Sequence, residues 1–298
     1  MSFPRRRESR LIKPGSRVKP GMTMNIMNYS LKIGWLYPEL MSTYGDRGNI
    51  IILQKRCAWR GIEIDIQTID FKTVRQDIEK CNLFFGGGSQ DRQQGILIDD
   101  LRKNKGPVLK EMIDNGIPGL FVCGSPQLLG HYFIDGNGNK LEGLGIFDMV
   151  STYPSKGTPR CIGNLVAEIT NLKSQIPNKH KTIVGFENHG GRTYLNITQN
   201  SKVKNQKYET LKKTSIQPFA KVLYGKGNNG EDGTEGAVYK NCIATYSHGP
   251  FLSKNPHIAD WLIKMALEVK YKKEMILNQL DDTLEWQAHE TMLKKFVK

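Results

Sequence analysis

Short apolar runs alternate with helical patterns through the first half of this 298-residue chain. The segments between the runs carry apolar residues near helical spacing, and the two clearest of them close at Gly61 and Gly116. This succession of strands and helices predicts an α/β fold with a mainly parallel sheet flanked by helices. Functional groups of such sheets gather where the strands end. The strand-like segments are residues 31–38, 62–70, 81–94 and 118–124. The segment 81–94 ends in three glycines and a polar loop.

The second half of the chain is less regular. "TIVGFENHGGRTYL" (182–195) and "NCIATYSHGPFLSKNP" (241–256) each join a strand-like run to a loop with glycine and histidine. Residues 205–233 are basic and then rich in Gly and Asn, which predicts a surface excursion. Residues 257–280 predict a helix that leads into a polar tail.

Charge and periodicity divide the chain into three parts. Residues 1–27 combine Arg, Lys, Pro, Gly and Ser without hydrophobic periodicity, so we expect a disordered basic extension. Residues 1–22 hold seven Arg and Lys against one Glu, so much of the formal net charge of +14 is local. The folded domain is expected at residues 28–270, followed by a polar, helical tail at residues 271–298.

Five cysteines are scattered through the chain without a CxxC pair or the His/Cys spacing of a zinc site. This distribution predicts free thiols, no metal centre and a reducing, cytoplasmic location. The basic residues near the start are not followed by the apolar region of a secretory signal. No run approaches the roughly 20 apolar residues of a membrane-spanning helix.

Cys123 follows the apolar run "LFV" and precedes "GSPQLLG", which places it at a predicted strand-to-helix turn. Such a turn lifts a nucleophile clear of the backbone, and a helix N-terminus favours a thiolate. The backbone N–H of Gly124 is then a candidate donor to an oxyanion. The segment predicts a cysteine nucleophile that attacks a carbonyl carbon.

The glycines of "FFGGGSQD" offer a second set of backbone donors. Because glycine lets the backbone approach a ligand closely, we expect the N–H of Gly87 or Gly88 to face the same carbonyl oxygen. The segment does not fit a phosphate-binding loop, since neither GK[ST] nor GxGxxG spacing is present.

A histidine base is expected in a loop beyond the cysteine. His189 in "FENHGGRT" and His248 in "TYSHGPFL" both lie in glycine-flanked turns at predicted strand ends, and spacing does not choose between them. The other histidines lie in helical or lysine-rich segments and are expected to have packing or surface roles: His131, His180, His257 and His289.

Four motifs, "FFGGGSQDRQQ", "LFVCGSPQLLG", "GFENHGGRTY" and "TYSHGPFLSKNP", together resemble the GatD family of CobB/CobQ-like class I glutamine amidotransferase subunits. The resemblance covers roughly residues 30–270. It implies a flavodoxin-like class I amidotransferase fold and hydrolysis of glutamine through a γ-glutamyl thioester. It also implies that ammonia passes to MurT, a Mur-ligase-like partner that amidates the α-carboxylate of D-glutamate in lipid II during peptidoglycan synthesis.

The resemblance assigns roles to individual residues. Cys123 matches the family's nucleophile, His248 its catalytic histidine and Arg160 its glutamine-contacting arginine. The residues that the resemblance places around the glutamine are Gly87, Gly88, Gly124 and Gln127.

Some features depart from the family's pattern. Position 250 is Pro, where triad-type class I enzymes carry a Glu, so the third catalytic residue is left open between Asp46 and Glu187. The basic stretch at about 198–220 is longer than the family's usual connection, and residues 1–27 have no counterpart.

The resemblance implies no cofactor or metal in this subunit, with ATP and Mg²⁺ on the partner ligase. Lipid II would be handled by the partner at the inner face of the membrane, and no nucleic acid is expected because no RRM, KH or helix-turn-helix signature is present. One alternative is a CobB/CobQ-type amidotransferase with another amide acceptor. The other is a non-catalytic module that residues 1–27 attach to nucleic acid, with an affinity that falls steeply with salt.

Overall fold

The computed structural model describes residues 29–155, 157–172, 175–176, 180–197 and 216–297. The predictions for residues 1–27 and for the basic stretch up to residue 215 lie outside the described residues. Within the described residues, no helix is long and apolar enough to cross a membrane.

Helices pack on both faces of a central sheet, and two smaller sheets complete the fold. The strands are β1 (Ser30–Leu36), β2 (Glu63–Ile69), β3 (Leu83–Gly86), β4 (Gly119–Val122), β5 (Tyr132–Ile134), β6 (Lys140–Glu142), β7 (Met149–Thr152), β8 (Cys161–Ile169), β9 (Thr182–His189), β10 (Arg192–Leu195), β11 (Ala220–Tyr224), β12 (Thr234–Glu235), β13 (Ala237–Tyr239) and β14 (Cys242–Thr245). The helices are α1 (Arg47–Ala58), α2 (Arg75–Glu79), α3 (Asp91–Asp100), α4 (Gly106–Asp114), α5 (Gly124–Leu129), α6 (Pro256–Tyr271) and α7 (Thr283–Phe296). Short 3₁₀ helices span Thr43–Gly45 and Phe251–Lys254, and a π-helical turn at Leu101–Lys105 joins α3 to α4.

The central sheet has the strand order β2-β1-β3-β4-β14-β13. Neighbouring strands run parallel except for β13 and β14, which form an antiparallel edge. From β2 to β14 this is the order of flavodoxin-like doubly wound sheets. The prediction of a mainly parallel α/β sheet flanked by helices is therefore confirmed.

Burial on both faces explains why β3 is an unbroken apolar run. Leu83 and Phe85 pack in the core formed with α1 and α6, whereas Phe84 packs on the opposite face with α3 and α4. All three side chains are fully buried. The strand is held from both sides, and its glycine-rich end is presented at one edge of the sheet.

The described part of the predicted surface excursion, residues 216–233, is mostly exposed, but it contains a strand that the sequence did not predict. There, β11 pairs with β8 and β12 in a four-stranded sheet, and the side chains of Asn228 and Asn229 are buried. The Asn228 amide accepts from the N–H of Gly236 at 2.8 Å and donates to its carbonyl at 3.0 Å. Side-chain amides thus satisfy the backbone of a Gly-rich loop, which lets the loop fold inward.

The predicted helix at residues 257–280 is too long, because α6 ends at Tyr271. Lys272 adopts a left-handed backbone conformation with φ 52° and ψ 41°, and its N–H donates to Glu268 O at 2.8 Å. Glycine is the usual residue at a left-handed helix C-terminus, so a lysine at this position does not indicate that the helix ends there. Beyond this turn, α7 packs against β9 and buries His289.

Candidate active site

The carboxyl ends of β3, β4 and β14 lie side by side in the central sheet. Cys123 directly follows β4, and His248 follows β14 after two residues. Gly87 and Gly88 follow β3, and Asp46 lies between β1 and α1. Parallel strand order therefore gathers four segments that are distant in sequence at one edge of the sheet.

Cys123 occupies a sharp turn between β4 and α5. Its backbone has φ 50° and ψ −95°, a positive φ that costs energy in a residue with a Cβ. The Cys123 N–H donates to Thr245 O at 2.8 Å, which ties the turn to β14. Gly124 lacks room for a side chain, because a Cβ there would lie 2.7 Å from Ser89 N and 2.9 Å from Gln94 Nε2. The turn thus holds Cys123 close to the loop that follows β3.

His248 and Asp46 form a buried, hydrogen-bonded pair. His248 Nδ1 lies 3.0 Å from each carboxylate oxygen of Asp46, and neither side chain is exposed. Because an ionised carboxylate can only accept, Nδ1 carries a proton and donates it to Asp46. The Gly88 N–H donates to Asp46 Oδ2 at 2.7 Å and fixes the carboxylate. The ring of Tyr44 meets the His248 ring edge-on, with centroids 4.9 Å apart.

The charges around the imidazole favour its protonated form. Burial by itself lowers the pKa of His248, but the negative charge of Cys123 and the hydrogen bond to Asp46 outweigh burial and raise the pKa to about 10. Within the described part of the chain, His248 Nε2 makes no hydrogen bond, and the charge of Cys123 acts on the imidazole ring as a whole. The arrangement suits an imidazolium next to a cysteine thiolate.

Glu187, the other residue considered for the third catalytic position, is engaged elsewhere. Its buried carboxylate accepts the N–H groups of Lys226 and Gly227 at 2.7 and 2.8 Å. The preceding residue, Phe186, reaches His248 only through its backbone, since its carbonyl accepts the His248 N–H at 2.8 Å. The structure therefore brings Asp46, and not Glu187, to the imidazole.

The glycines after β3 pack their loop against the His248–Asp46 pair. A Cβ on Gly88 would lie 2.6 Å from His248 Cε1, and a Cβ on Gly87 would clash with the carbonyl of Met41. The prediction offered the N–H of Gly87 or Gly88 as an oxyanion donor, and the Gly88 N–H is bonded to Asp46. This disfavours the Gly88 alternative and leaves the N–H groups of Gly87 and Gly124 as the candidate oxyanion donors.

A cavity of about 400 Å³ opens onto Cys123, and its walls include Gln127 and Arg160. The Arg160 guanidinium donates to Asn188 Oδ1 from Nε at 3.2 Å and from Nη2 at 3.1 Å, which fixes it at the wall. Gln127 Oε1 accepts from Gln94 Nε2 at 2.8 Å. A thiol, a guanidinium and an oriented amide around one small cavity suit a substrate with a carboxylate and a carbonyl group. Other residues of the wall are Tyr44, Ser89, Arg92 and Tyr153.

His189, the second histidine considered as a base, lines the same cavity but is held by other groups. Its Nδ1 lies 2.8 Å from Gly191 O, and its ring stacks on Tyr246 with centroids 3.8 Å apart. Tyr44 and Ser89 line the cavity as well, although the sequence did not single them out. Both lie in glycine-containing polar segments that follow strands. This position was the feature of the sequence from which their place at the cavity could have been predicted.

The other four cysteines are buried free thiols. Burial raises the pKa of Cys57 and Cys81 to about 12, as expected of packing residues. In the part of the chain that the structure describes, no group of three or more His, Cys, Asp or Glu side chains could hold a metal ion. Cys123 is the cysteine that combines a strained turn, a cavity and a charged histidine.

Comparisons with known proteins identify the family of this chain. Residues 32–256 match the model of the CobB/CobQ-like glutamine amidotransferase domain. The lipid II isoglutaminyl synthase (glutamine-hydrolyzing) subunit GatD of Staphylococcus aureus (strain N315) is 39% identical over 242 residues, which are 81% of this chain and 86% of the relative. The protein of the same name from Streptococcus pneumoniae (strain ATCC BAA-255 / R6) is 36% identical over 263 residues, covering 86% of this chain and 88% of the relative.

More distant similarities are weaker. A probable cobyric acid synthase of Methanosphaera stadtmanae is 23% identical over 202 residues, which are 63% of this chain and 36% of that protein. A solved glutamine amidotransferase is 13% identical and matches 78% of this chain and 98% of its own with a TM-score of 0.49. The family match spans most of the chain and encloses the cavity and the His248–Asp46 pair. This protein therefore belongs to the GatD family of CobB/CobQ-like glutamine amidotransferases.

Proposed function

We propose that this protein hydrolyses L-glutamine through a thioester on Cys123 and delivers ammonia to a MurT-like Mur-ligase partner, which amidates the α-carboxylate of D-glutamate in lipid II. The acceptor is inferred from the names of the GatD relatives. One observation carries the chemistry: His248 Nδ1 is bonded to both oxygens of Asp46 at 3.0 Å, while the imidazole also interacts with Cys123.

The reaction begins with Cys123 as a thiolate and His248 as an imidazolium. The sulfur attacks the side-chain amide carbon of glutamine, and the C=O electrons move onto oxygen to give a tetrahedral oxyanion. The N–H groups of Gly87 and Gly124 are the candidate donors to this oxyanion. Gly88 contributes indirectly, since its N–H holds Asp46.

His248 Nε2 then donates its proton to the amide nitrogen, the C–N bond breaks, and ammonia leaves a γ-glutamyl thioester on Cys123. Water attacks the thioester carbon and gives a proton to the neutral imidazole. Collapse of this second tetrahedral intermediate expels the thiolate and releases glutamate, which restores the starting pair. Asp46 accepts from Nδ1 throughout and keeps Nε2 available to the reacting atoms.

Polar groups of the cavity suit the amino-acid end of glutamine. Arg160 supplies a planar cation for the α-carboxylate, and Asn188 holds that cation in place. Gln127 supplies an amide whose oxygen is already bound to Gln94. The substrate's side-chain amide is then directed at Cys123.

We assign the ligase half of the reaction to the partner. Amidation of a carboxylate requires its activation by ATP and Mg²⁺, and the sequence has no GK[ST] loop to hold a nucleotide phosphate. The GxGxxG spacing at residues 225–230 lies between two strands, β11 and β12, and not at the strand-to-helix turn of a dinucleotide-binding unit. No cofactor is therefore assigned to this protein. Because lipid II is a membrane lipid, the complex is expected to act at the cytoplasmic face of the membrane.

The test uses the full chain co-purified with a Mur-ligase-like protein from the same genome. The pair receives ¹⁵N-amide glutamine, ATP, Mg²⁺ and lipid II, and mass spectrometry measures ¹⁵N in the α-amide of D-glutamate. Cys123→Ala should abolish transfer from glutamine but keep amidation by added ammonium, because the ligase is intact. Cys81→Ala, which removes a buried packing thiol, is the matched control and should keep transfer.

Two results would contradict the proposal. Transfer from glutamine that persists in Cys123→Ala would exclude the thioester mechanism. Glutamine hydrolysis with no amidation of lipid II, but with amidation of another acid in a screen of acceptors, would favour the CobB/CobQ-type alternative.

A further inference from the structure

A chain of buried hydrogen bonds runs behind the cavity and centres on Tyr246. Tyr246 precedes His248 by two residues and is 2% exposed. Its hydroxyl lies 2.5 Å from Thr193 Oγ1, which in turn lies 2.6 Å from Ser151 Oγ. The same hydroxyl accepts from Gln127 Nε2 at 3.4 Å. Oη accepts from Gln127, and in its bond to Thr193 either hydroxyl can be the donor.

These bonds determine which way the Gln127 amide faces. Its Oε1 accepts from Gln94 Nε2 at 2.8 Å, and its Nε2 donates one hydrogen to Tyr246. An amide nitrogen carries two hydrogens, so the second N–H is left for the cavity that Gln127 lines. Gly191 packs against this nitrogen, since a Cβ there would lie 2.9 Å from Gln127 Nε2.

The ring of Tyr246 supports a second residue of the wall. The His189 ring stacks on it at 3.8 Å with an interplanar angle of 24°. His189 Nδ1 donates to Gly191 O, because a carbonyl can only accept. Among the described residues, His189 Nε2 is buried without a hydrogen-bond partner, and Glu187 Oε2 lies 3.9 Å away. A buried polar atom without a partner is uncommon in a folded protein and points to a role beyond packing.

Tyr246 is itself firmly anchored. Its N–H donates to Glu235 Oε1 at 3.0 Å, and the Thr245 hydroxyl donates to the same oxygen at 2.5 Å. Burial and the negative charge of Cys123 raise the pKa of Tyr246 to about 12, so the phenol keeps its proton at neutral pH. It therefore acts as a fixed, neutral hydrogen-bonding group.

We propose that Tyr246 is a positioning residue for glutamine binding: its hydroxyl orients the Gln127 amide and its ring orients the His189 imidazole, so that both face the substrate. The inference rests on the proposed function in taking glutamine as that substrate. Loss of the hydroxyl should raise the KM for glutamine about five- to tenfold, the effect of one neutral hydrogen bond, and should change kcat less than about twofold.

Tyr246→Phe tests this directly, because it removes Oη and keeps the ring that supports His189. Steady-state hydrolysis of glutamine by the full chain with its partner gives KM and kcat. Thr193→Val removes the hydroxyl that is hydrogen-bonded to Tyr246 Oη and should raise KM by a smaller factor, and the double variant should be no worse than Tyr246→Phe. Tyr239→Phe is the matched control: its hydroxyl donates to Asp114 at 2.8 Å, away from the cavity, and its KM should equal that of the wild type.

Chemical labelling of Cys123 separates positioning from a general loss of structure. Iodoacetamide alkylates the thiol without using the amino-acid end of the cavity, whereas 6-diazo-5-oxo-L-norleucine must bind as glutamine does before it labels. Tyr246→Phe should leave the iodoacetamide rate unchanged and slow labelling by the analogue about as much as it raises KM.

These experiments distinguish failure of the Tyr246 inference from failure of the proposed function. An unchanged KM in Tyr246→Phe, or equal slowing of both labelling reactions, would overturn the role of Tyr246 and leave the proposed function intact. Glutamine hydrolysis that survives Cys123→Ala would overturn the proposed function, and this inference with it.

Discussion

Both carboxylate oxygens of Asp46 lie 3.0 Å from His248 Nδ1, although the two residues are 202 positions apart in the chain. The Gly88 N–H donates to one of these oxygens at 2.7 Å, so the carboxylate has a fixed orientation. The contact holds a proton on Nδ1 and leaves Nε2 for the substrate. It therefore favours Asp46 over Glu187 as the proposed third member of the site.

Asp46→Asn should lower kcat for glutamine hydrolysis by about 10²–10⁴-fold, because an amide can donate as well as accept and no longer keeps the proton on Nδ1. Loss of the carboxylate charge also lowers the pKa of His248 from its value of about 10. The imidazolium is then lost at lower pH, so the alkaline limb of the pH–kcat profile should move to lower pH. Rates measured between pH 6 and pH 10 would check both effects.

Glu187→Gln is the matched control for Asp46→Asn. The Glu187 carboxylate holds the N–H groups of Lys226 and Gly227, so its loss should lower thermal stability and leave the pH–kcat profile in place. A shifted profile in Glu187→Gln with an unshifted one in Asp46→Asn would reverse the assignment.

Gly88→Ala should lower kcat by about 10²-fold, the scale of a 1 Å displacement of a catalytic group. The new Cβ would lie 2.6 Å from His248 Cε1 and 2.5 Å from Thr43 Oγ1, so the imidazole must move. Gly95→Ala is the control, because a Cβ at this α3 position meets nothing within 4 Å. It should keep kcat and raise helix stability by up to about 1 kcal/mol. Wild-type kcat in Gly88→Ala would argue against the close packing described.

Glu235→Gln should change how stability depends on pH. Burial is the main cause that raises the pKa of Glu235 to about 7 from 4.5, against the opposing hydrogen bond from Thr245. Between these two values the folded chain holds a proton that the unfolded chain has lost, so the free energy of unfolding of the wild type falls as pH rises. The side chain introduced by Glu235→Gln does not titrate, so this variant does not lose unfolding free energy in this way. For the wild type the loss amounts to roughly 3 kcal/mol between the two pKa values.

Urea unfolding of both proteins at pH 5, 6, 7 and 8 measures this difference. The variant should gain stability relative to the wild type as pH rises from 5 to 7, and the gain should level off above pH 7. A constant difference across the four pH values would show that Glu235 is ionised in the folded chain throughout.

Arg56→Met should lower the free energy of unfolding by up to about 3 kcal/mol, because it leaves the partly buried carboxylate of Asp282 without this cation and Asp260 with Arg60 alone. Arg56 is 1% exposed and bonds Asp260 and Asp282, the N-cap residue that directly precedes α7. Arg75→Met is the control: its partners Glu79 and Glu111 are exposed, and its loss should be too small to measure. Equal denaturation midpoints for the two variants would contradict the proposed anchoring of α7.

Local pattern was sufficient for the frame of the fold. The segments around β1 to β4 carry their own strand and helix signals, so their order could be predicted without knowledge of distant contacts. The turn at Cys123 was equally local, since a strand, a cysteine and a glycine are adjacent there. By contrast, β11 forms because it pairs with β8, which is distant in the sequence. The end of α6 depends on the left-handed backbone of Lys272. Neither feature produces a pattern in the neighbouring residues from which it could be predicted.

The site was only partly predictable for the same reason. Asp46 and Glu187 lie in similar glycine-containing stretches, and the choice between them depends on which loop packs against His248. The role of the Gly88 N–H could not be predicted either, because its acceptor, Asp46, lies 42 positions away in the sequence. Tyr246 sits within a recognised motif, but its partners Thr193 and Gln127 come from other parts of the fold.

The order of β14 in the sheet has a consequence for biosynthesis. A nascent polypeptide that has emerged from the ribosome only as far as β13 already contains the thiol, but the strand that delivers the imidazole is still inside the exit tunnel. Under the proposed mechanism such a chain cannot consume glutamine, so ammonia is not generated before the fold is nearly complete.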